Sequence, residues 1–247
     1  MNSDMTKTMT IRWIIDAFRR TLLHYGLWFN ETERQLGLET ALRAEREAGD
    51  RLLRLALERL AGVLRFELRD GLPASLWSLP PEQLEQLLDA SCVNWLAADG
   101  VWFQAVEALA TMHDAKRAND TCWTRFSPYE AARIRELLEL PEPGQAQRPL
   151  DVLKTALSYR LYARVNRQEI VDDGPDAFIF RMLNCRVQHA RKRKQLEDYP
   201  CKSGGVVEYR CFARAIDPRI EVECLSCPPD PHPDDWYCAW RFSVSSG

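Results

Sequence analysis

Residues 220–244 read IEVECLSCPPDPHPDDWYCAWRFSV. Apolar residues alternate with polar or smaller ones over residues 220–224 and again over 238–244, and four prolines lie between these stretches. Alternation with a period of two is typical of a strand with one buried face, and clustered prolines are typical of a turn. The segment therefore predicts a β-hairpin whose two strands direct Cys224 and Cys238 inward.

The cysteines of this segment predict a metal site. Cys224 and Cys227 form a C-x2-C pair, Cys238 returns on the second strand, and Cys201, just after Pro200, is the best fourth ligand. Thiolates are preferred ligands of Zn²⁺ and of iron–sulfur clusters. We therefore expect zinc or an iron–sulfur cluster at these four cysteines, in a structural or ligand-sensing role. The alternatives are a redox-reactive thiol pair and cysteines that only fill the core.

The region before the hairpin also combines helices and strands. Helices are predicted over residues 150–161, 186–196 and 203–217, and strands over 160–171 and 178–182. The order helix, two strands, two helices, two strands fits an antiparallel sheet with helices on one face. We therefore predict an α+β, cysteine-rich domain over residues 146–247, with a boundary at the polar and proline-containing residues that precede it.

Residues 1–145 are predicted to form a helical domain with an internal duplication. Gly26-Leu27-Trp28-Phe29-x3-Glu33 matches Gly100-Val101-Trp102-Phe103-x3-Glu107, and we assign the two copies to about 11–70 and 84–140. Three helices are predicted in the first copy, and Ser127-Pro128 predicts a helix start in the second. The repeated Trp and Phe are expected to be core anchors, with a pocket between the copies as the alternative.

Composition excludes several functional classes. The chain has 247 residues, is 46% hydrophobic and carries a net charge of −3, so it has no general attraction for nucleic acid or anionic membrane. No apolar run is long enough to span a bilayer, and residues 1–10 lack the apolar part of a signal peptide. We expect a cytoplasmic protein whose eight cysteines stay reduced, with no nucleic-acid or membrane partner. The apolar helical duplicate makes a homodimer a further expectation.

A basic run and several single residues are candidates for ligand binding or catalysis. Arg191-Lys192-Arg193-Lys194 follows Arg186 on one predicted helix. Such a run is usually a solvated face, but Arg186, Arg191 and Arg193 could instead bind a carboxylate or phosphate of a small-molecule ligand. Cys185 is a candidate nucleophile and Asp217 a candidate base. His232, between two prolines, is a further candidate metal ligand.

Several motifs together resemble a family of small uncharacterised bacterial cytosolic proteins. They are Trp102-Phe103-x2-Val106-Glu107, Asn184-Cys185-Arg186-Val187-Gln188, Pro200-Cys201-Lys202-Ser203, Ile216-Asp217-Pro218-Arg219-Ile220, Cys224-x2-Cys227-Pro228-Pro229-Asp230 and Cys238-Ala239-Trp240-x-Phe242. That family is similar, more distantly, to the L-2-amino-thiazoline-4-carboxylate hydrolase group, although the C-x2-C-Pro-Pro-Asp element departs from its pattern. The resemblance implies an α+β fold and a Cys-lined site that hydrolyses a C–N or C–S bond in a small carboxylate-bearing molecule.

Overall fold

The computed structural model describes residues 3–193, 195 and 198–244 and divides into two compact units, Met1–Leu79 and Pro80–Gly247. Unit 1 contains α1 (Ser3–Leu36), α2 (Leu38–Leu64), β1 (Leu68–Arg69), β2 (Leu72–Pro73) and α3 (Ala74–Trp77). Unit 2 contains α4 (Pro81–Leu109), α5 (Met112–Leu137), α6 (Pro149–Ser158), α7 (Leu161–Val165), β3 (Arg167–Asp172), β4 (Ala177–Asn184), α8 (Arg186–Arg193), α9 (Lys202–Ile216), β5 (Ile220–Ser226) and β6 (Cys238–Val244). Within the described ranges, no helix combines the length and apolar character needed to cross a bilayer.

Unit 1 is dominated by two long helices, where the sequence predicts three. α1 continues to Leu36, and Gly37, at φ +85°, connects it to α2. The helix does not end earlier because Gly26, its weakest position, costs only about 1 kcal/mol relative to alanine. Trp28 on α1 and Trp102 on α4 are each 67% exposed, so the expectation that the repeated tryptophans are core anchors is wrong. Internal duplication and homodimer formation stay predictions.

Unit 2 contains a four-stranded antiparallel sheet in the order β3-β4-β6-β5. β5 and β6 pair over the segments in which the sequence alternates, with Cys224 opposite Trp240 and a bulge between Cys224 and Ser226. β4 pairs with β6 on its other side, where Met182 lies opposite Cys238. The predicted α+β class is therefore confirmed.

The core of unit 2 lies between this sheet and the helices α9 and α6. Its fully buried side chains are mainly large and apolar: Leu153, Leu157, Phe178, Phe180, Phe212, Ile216, Trp240 and Phe242. α5 in turn packs along α9. Side chains of this size account for most of the favourable burial energy of a small domain, at about 25 cal/mol per Å² of apolar surface.

The domain boundary predicted near residue 145 lies inside unit 2. The loop at this position is tied to the C-terminal part of the chain, because the Gly144 N–H donates to Asp217 Oδ2 at 3.2 Å. The Arg219 guanidinium also donates to the Ala146 carbonyl oxygen at 2.6 Å. Proline and glycine in this loop indicate a turn, but these contacts and the packing of α5 on α9 join the two sides into one compact unit.

The helix start predicted at Ser127-Pro128 is wrong, because Pro128 lies inside α5. A proline in a helix interior removes one backbone hydrogen bond and costs about 3 kcal/mol. Ser127 is fully buried, and α5 contacts α9 before this position, where Asp120 lies beside Gly204, and after it, where Arg135 donates to the Ala215 carbonyl oxygen. Tertiary packing therefore outweighs the local preference of the proline.

A buried ion group joins three helical segments of unit 2. Arg160, 2% exposed, places its Nε 2.8 Å from Glu130 Oε2 on α5 and its Nη1 2.8 Å from Glu208 Oε1 on α9. The Leu161 N–H, at the start of α7, donates to Glu130 Oε1 at 3.0 Å. One guanidinium thus compensates two buried carboxylates.

Replacing Arg160 by methionine is expected to lower the free energy of unfolding by about 3–5 kcal/mol, because two carboxylates lose their buried counter-ion. The matched control is Arg148→Met, since Arg148 and Asp151 form an ion pair with side chains 81% and 47% exposed. Loss of such an exposed pair changes stability by about 0–1 kcal/mol. Urea unfolding of both variants at pH 7 measures the difference, and equal effects would contradict the structural role of Arg160.

Candidate thiol-lined active site

A cavity of about 470 Å³ lies within unit 2, and α4, α5, α8, α9 and the sheet all contribute to its wall. Its lining combines thiols (Cys185, Cys201, Cys227 and Cys238), aromatic rings (Phe103, Trp123, Tyr162, Tyr199, Tyr209 and Trp240) and charged groups (Asp99, Glu107, Lys116, Arg186, Arg191 and Glu208). Mostly apolar cavities of this size with a few polar groups are typical of small-molecule sites.

Two consecutive glycines allow α9 to approach its neighbours at this cavity. A Cβ on Gly205 would lie 2.6 Å from Cζ2 of the Trp240 ring, and one on Gly204 would lie 2.9 Å from Asp120 Oδ1. The Asp120 carboxylate is the end of a flexible side chain, but Trp240 is only 1% exposed and its ring is rigid. Gly205 is therefore required for Trp240 to pack against the first turn of α9.

Hydrogen bonds between distant segments hold the thiols near one another. The Lys202 N–H donates to the Pro228 carbonyl oxygen at 2.8 Å, which joins the turn after β5 to the start of α9. Gln188, 1% exposed, donates through Nε2 to Cys201 Sγ at 3.2 Å and to the Tyr199 carbonyl at 2.9 Å. Its Oε1 accepts the Tyr199 N–H at 2.8 Å. α8, α9 and the β5–β6 turn thus converge on the cavity.

The cysteines that line the cavity differ by one from the predicted ligand set. Cys201, Cys227 and Cys238 line it, whereas Cys224 on β5 does not. Cys185, between β4 and α8, is the fourth cysteine of the lining. Among the described residues, no group of three or more His, Cys, Asp or Glu side chains is arranged to hold a metal ion. The metal site stays a prediction.

Cys227 and Cys238 interact so that their pKa values shift in opposite directions. The Cys227 thiol donates to the Cys238 sulfur, which lowers the pKa of Cys238 and raises that of Cys227. Burial opposes the first shift and adds to the second. The Met182 N–H also lowers the pKa of Cys238. Of the four thiols in the lining, Cys238 is therefore the one whose pKa is lowered.

The other cavity thiols favour the neutral form. Burial raises the pKa of Cys185 to about 11 and raises the pKa of Cys201 well above its ordinary value. The negative charge that Cys238 would carry adds to both shifts, because like charges in a low-dielectric site disfavour one another. The four thiols that line the cavity therefore accommodate one negative charge more readily than several.

Glu208 is a cavity residue that the sequence patterns did not predict. It lines the cavity, is 8% exposed, and lies close enough to Cys185, Cys201 and Cys238 to raise the pKa of each thiol. Burial raises the pKa of Glu208 itself, against the opposing effect of Arg160. The sequence does contain an indication that Glu208 has a special role, because a glutamate on the apolar stripe of an amphipathic helix is unusual.

The rest of the wall is aromatic and charged. Lys116 Nζ lies 2.6 Å from Asp120 Oδ1 and 5.2 Å from the centre of the Tyr199 ring. The Tyr199 and Phe103 rings contact each other with 5.3 Å between their centres. Phe103 and Glu107 belong to the repeated Gly-x-Trp-Phe-x3-Glu motif, so in unit 2 this motif contributes to a cavity wall.

Two of the three predicted ligand-binding arginines reach the cavity. Arg186 and Arg191 line it, whereas Arg193 is exposed and lies outside its lining. Lys194, the last residue of the basic run, lies outside the described residues.

Asp217 and His232 lie outside the cavity lining. Asp217 is fully buried and accepts hydrogen bonds from the backbone and guanidinium of Arg219 and from the Gly144 N–H, which together lower its pKa. His232 Nε2 lies 2.9 Å from Asp198 Oδ2. The hydrogen bonds of Asp217 give it a structural role after α9. The contact with Asp198 engages the His232 ring within the turn.

Alkylation with iodoacetamide should label Cys238 at a lower pH than the other cavity thiols. We expect its labelling to begin below the ordinary cysteine pKa of about 8.5, because Cys227 stabilises its thiolate. Cys185 should remain unlabelled until the pH approaches about 11. Peptide mass mapping across a pH series measures both, and labelling of Cys185 before Cys238 would contradict the assignment.

The matched variants for this experiment are Cys227→Ala and Cys224→Ser. Cys227→Ala removes the hydrogen-bond donor and should shift the labelling of Cys238 to higher pH. Cys224→Ser changes a thiol outside the lining and should leave that labelling unchanged.

A family model matches the chain over residues 3–80 and over residues 77–244. No curated protein and no solved structure matches it. The chain therefore belongs to DUF6125, a family of unknown function.

Proposed function

We propose that this protein is a cytoplasmic hydrolase that cleaves a C–N or C–S bond in a small carboxylate-bearing molecule, with the Cys238 thiolate as its nucleophile. One observation carries the proposal: Cys238 lies on the wall of a cavity of small-molecule size, and the Cys227 thiol lowers its pKa. The thiolate is the nucleophilic form of cysteine. The proposal agrees with the activity implied by the sequence resemblance, and it replaces Cys185 with Cys238 as nucleophile.

The proposed reaction has two steps. The Cys238 thiolate adds to the electrophilic carbon of the substrate, and the bond from that carbon to the leaving nitrogen or sulfur breaks. Water then adds to the same carbon, the bond to Cys238 breaks, and the thiolate returns. Division of one difficult step into two easier ones is the general advantage of covalent catalysis.

The lining supports a carboxylate-bearing substrate. Arg186 and Arg191 line the cavity on α8, and guanidinium groups bind carboxylates through paired, charge-assisted hydrogen bonds. Aromatic rings supply apolar contact for the body of a small ligand. All eight cysteines are free, which supports a reducing compartment such as the cytoplasm.

Hydrolysis of two activated esters tests the proposed nucleophile. We expect the wild type to hydrolyse 4-nitrophenyl butyrate and, faster, mono-4-nitrophenyl succinate, because the second carries a carboxylate. Cys238→Ala should reduce both rates to those of spontaneous hydrolysis, whereas Cys224→Ser should retain them. The release of 4-nitrophenolate gives kcat/KM. Equal rates for the wild type and Cys238→Ala would contradict the assignment of Cys238 as the nucleophile.

The same esters test carboxylate recognition. Arg186→Gln should lower kcat/KM for the succinate ester about tenfold or more relative to the butyrate ester, since a hydrogen bond to a charged group contributes about 1.5–3 kcal/mol. Arg193→Gln is the matched control, because Arg193 lies on the same helix but outside the lining. If both variants keep the wild-type preference, Arg186 does not bind the carboxylate.

Metal binding is the second candidate, favoured by four thiols on the wall of one cavity. Such a donor set suits zinc or an iron–sulfur cluster. We would then assign Cys185, Cys201, Cys227 and Cys238 as ligands, in place of the predicted set that contained Cys224. A closed site of four thiolates is structural, and it would leave no free thiolate for attack on a substrate.

Metal analysis of anaerobically purified protein separates the two candidates. The hydrolase proposal expects no stoichiometric zinc or iron in the wild type. Stoichiometric metal that is lost in Cys185→Ser and kept in Cys224→Ser would support the metal site and contradict Cys238 as nucleophile.

A further inference from the structure

Among the described residues, three polar atoms in or next to the cavity wall are buried without a hydrogen-bond partner. Within the described part of the chain, Trp240 Nε1, Glu208 Oε1 and Arg160 Nη2 are buried and make no hydrogen bond. Glu208 Oε1 is 2.8 Å from Arg160 Nη1, an ion pair without hydrogen-bond geometry. Buried polar atoms in native structures almost always have a partner, which can be a bound water or ligand. Trp240 and Glu208 line the cavity that also contains Cys238, so a water or polar ligand within the cavity is the available partner for these two residues.

An ion pair with Arg160 holds the Glu208 side chain in place. Arg160 binds its carboxylate on one side and is itself bound to Glu130, so the carboxylate cannot turn away without leaving the guanidinium partly unpaired. Only 11% of the Glu208 side chain remains accessible, and the residue lines the cavity. It is also close enough to Cys238 to affect that thiol electrostatically. A carboxylate fixed in this way can act on a water at the reacting carbon.

We propose that Glu208 shuttles protons in the reaction at Cys238, an inference that rests on the proposed hydrolase function. In the first step the protonated carboxyl group donates its proton to the leaving nitrogen or sulfur as the bond to carbon breaks. In the second step water adds to the thioester carbon and passes one proton to the Glu208 carboxylate. The bond between carbon and Cys238 then breaks, the sulfur leaves as thiolate, and Glu208 is protonated for the next cycle.

The raised pKa of Glu208 is consistent with this role. Burial makes the carboxylate a stronger base than an exposed glutamate, and it allows the protonated form to exist closer to neutral pH. The role also explains why a charged residue occupies the buried stripe of α9, where an apolar residue would otherwise be expected.

Hydrolysis of 4-nitrophenyl acetate separates the two steps. The 4-nitrophenolate leaves without a proton, so acylation of Cys238 does not need Glu208, whereas attack of water on the thioester does. We expect Glu208→Gln to keep the burst of 4-nitrophenolate and to lose about 10²–10⁴-fold in the steady-state rate, the usual contribution of general acid–base catalysis. Intact mass spectrometry should then show that the variant accumulates acetylated protein, with the acetyl group on Cys238.

A second measurement distinguishes proton transfer from a merely structural role. The negative charge of Glu208 raises the pKa of Cys238, so Glu208→Gln should lower that pKa and accelerate iodoacetamide labelling of Cys238 at pH 7. A disrupted site would instead slow both labelling and the burst. Glu221→Gln, an exposed glutamate on β5, is the matched control and should change neither rate.

Glu208→Asp provides a variant that keeps the negative charge facing Arg160. Its shorter side chain should retain the burst and give a steady-state rate between those of the wild type and Glu208→Gln. A wild-type steady-state rate in Glu208→Gln, or joint loss of burst and labelling in both variants, would overturn the proton-shuttle role. A wild-type burst in Cys238→Ala would instead show that the nucleophile assignment fails, and the shuttle with it.

Discussion

The cavity of unit 2 depends on one buried guanidinium. Arg160 lies between Glu130 on α5 and Glu208 on α9, and the adjacent Leu161 N–H also binds Glu130. Charges inside a protein are costly unless they are compensated, so a shift of either helix would leave a buried charge unpaired. This constraint keeps α5 and α9 in register along the cavity. It also holds the Glu208 carboxylate beside the thiols, so the interaction that stabilises the fold positions a group with a proposed chemical role.

The four thiols that line the cavity differ in pKa for the same electrostatic reason. Several thiolates in one buried site would repel one another, so ionisation concentrates on the sulfur with the best hydrogen-bond donors. That sulfur is Cys238, which accepts from Cys227, while burial keeps Cys185 and Cys201 neutral. The fold thus distinguishes chemically identical side chains by their neighbours. A nucleophile and a neutral thiol that stabilises it can therefore come from the same residue type.

Local patterns in the sequence predicted the C-terminal sheet well and the helical part less well. Alternation over residues 220–224 and 238–244 predicted β5 and β6, and both are present. Ser127-Pro128 predicted a helix start, yet α5 continues through it because its packing on α9 outweighs the cost of the proline. The loop after Pro141 indicated a domain boundary, but hydrogen bonds from Gly144 and Arg219 tie this loop and the C-terminal part together.

By itself the sequence determined that a β-hairpin would direct cysteines inward, because strand alternation and proline turns act between neighbouring residues. It did not determine which cysteines meet. Cys224 is on the same hairpin as Cys238 but outside the cavity, whereas Cys185 comes from another segment and lines it. Only the tertiary structure decided this, through the approach of α9 to Trp240 at Gly205 and the hydrogen bonds of Gln188. The acidity of Cys238 and the position of Glu208 likewise depend on groups far apart in sequence, since electrostatic effects follow distance in space.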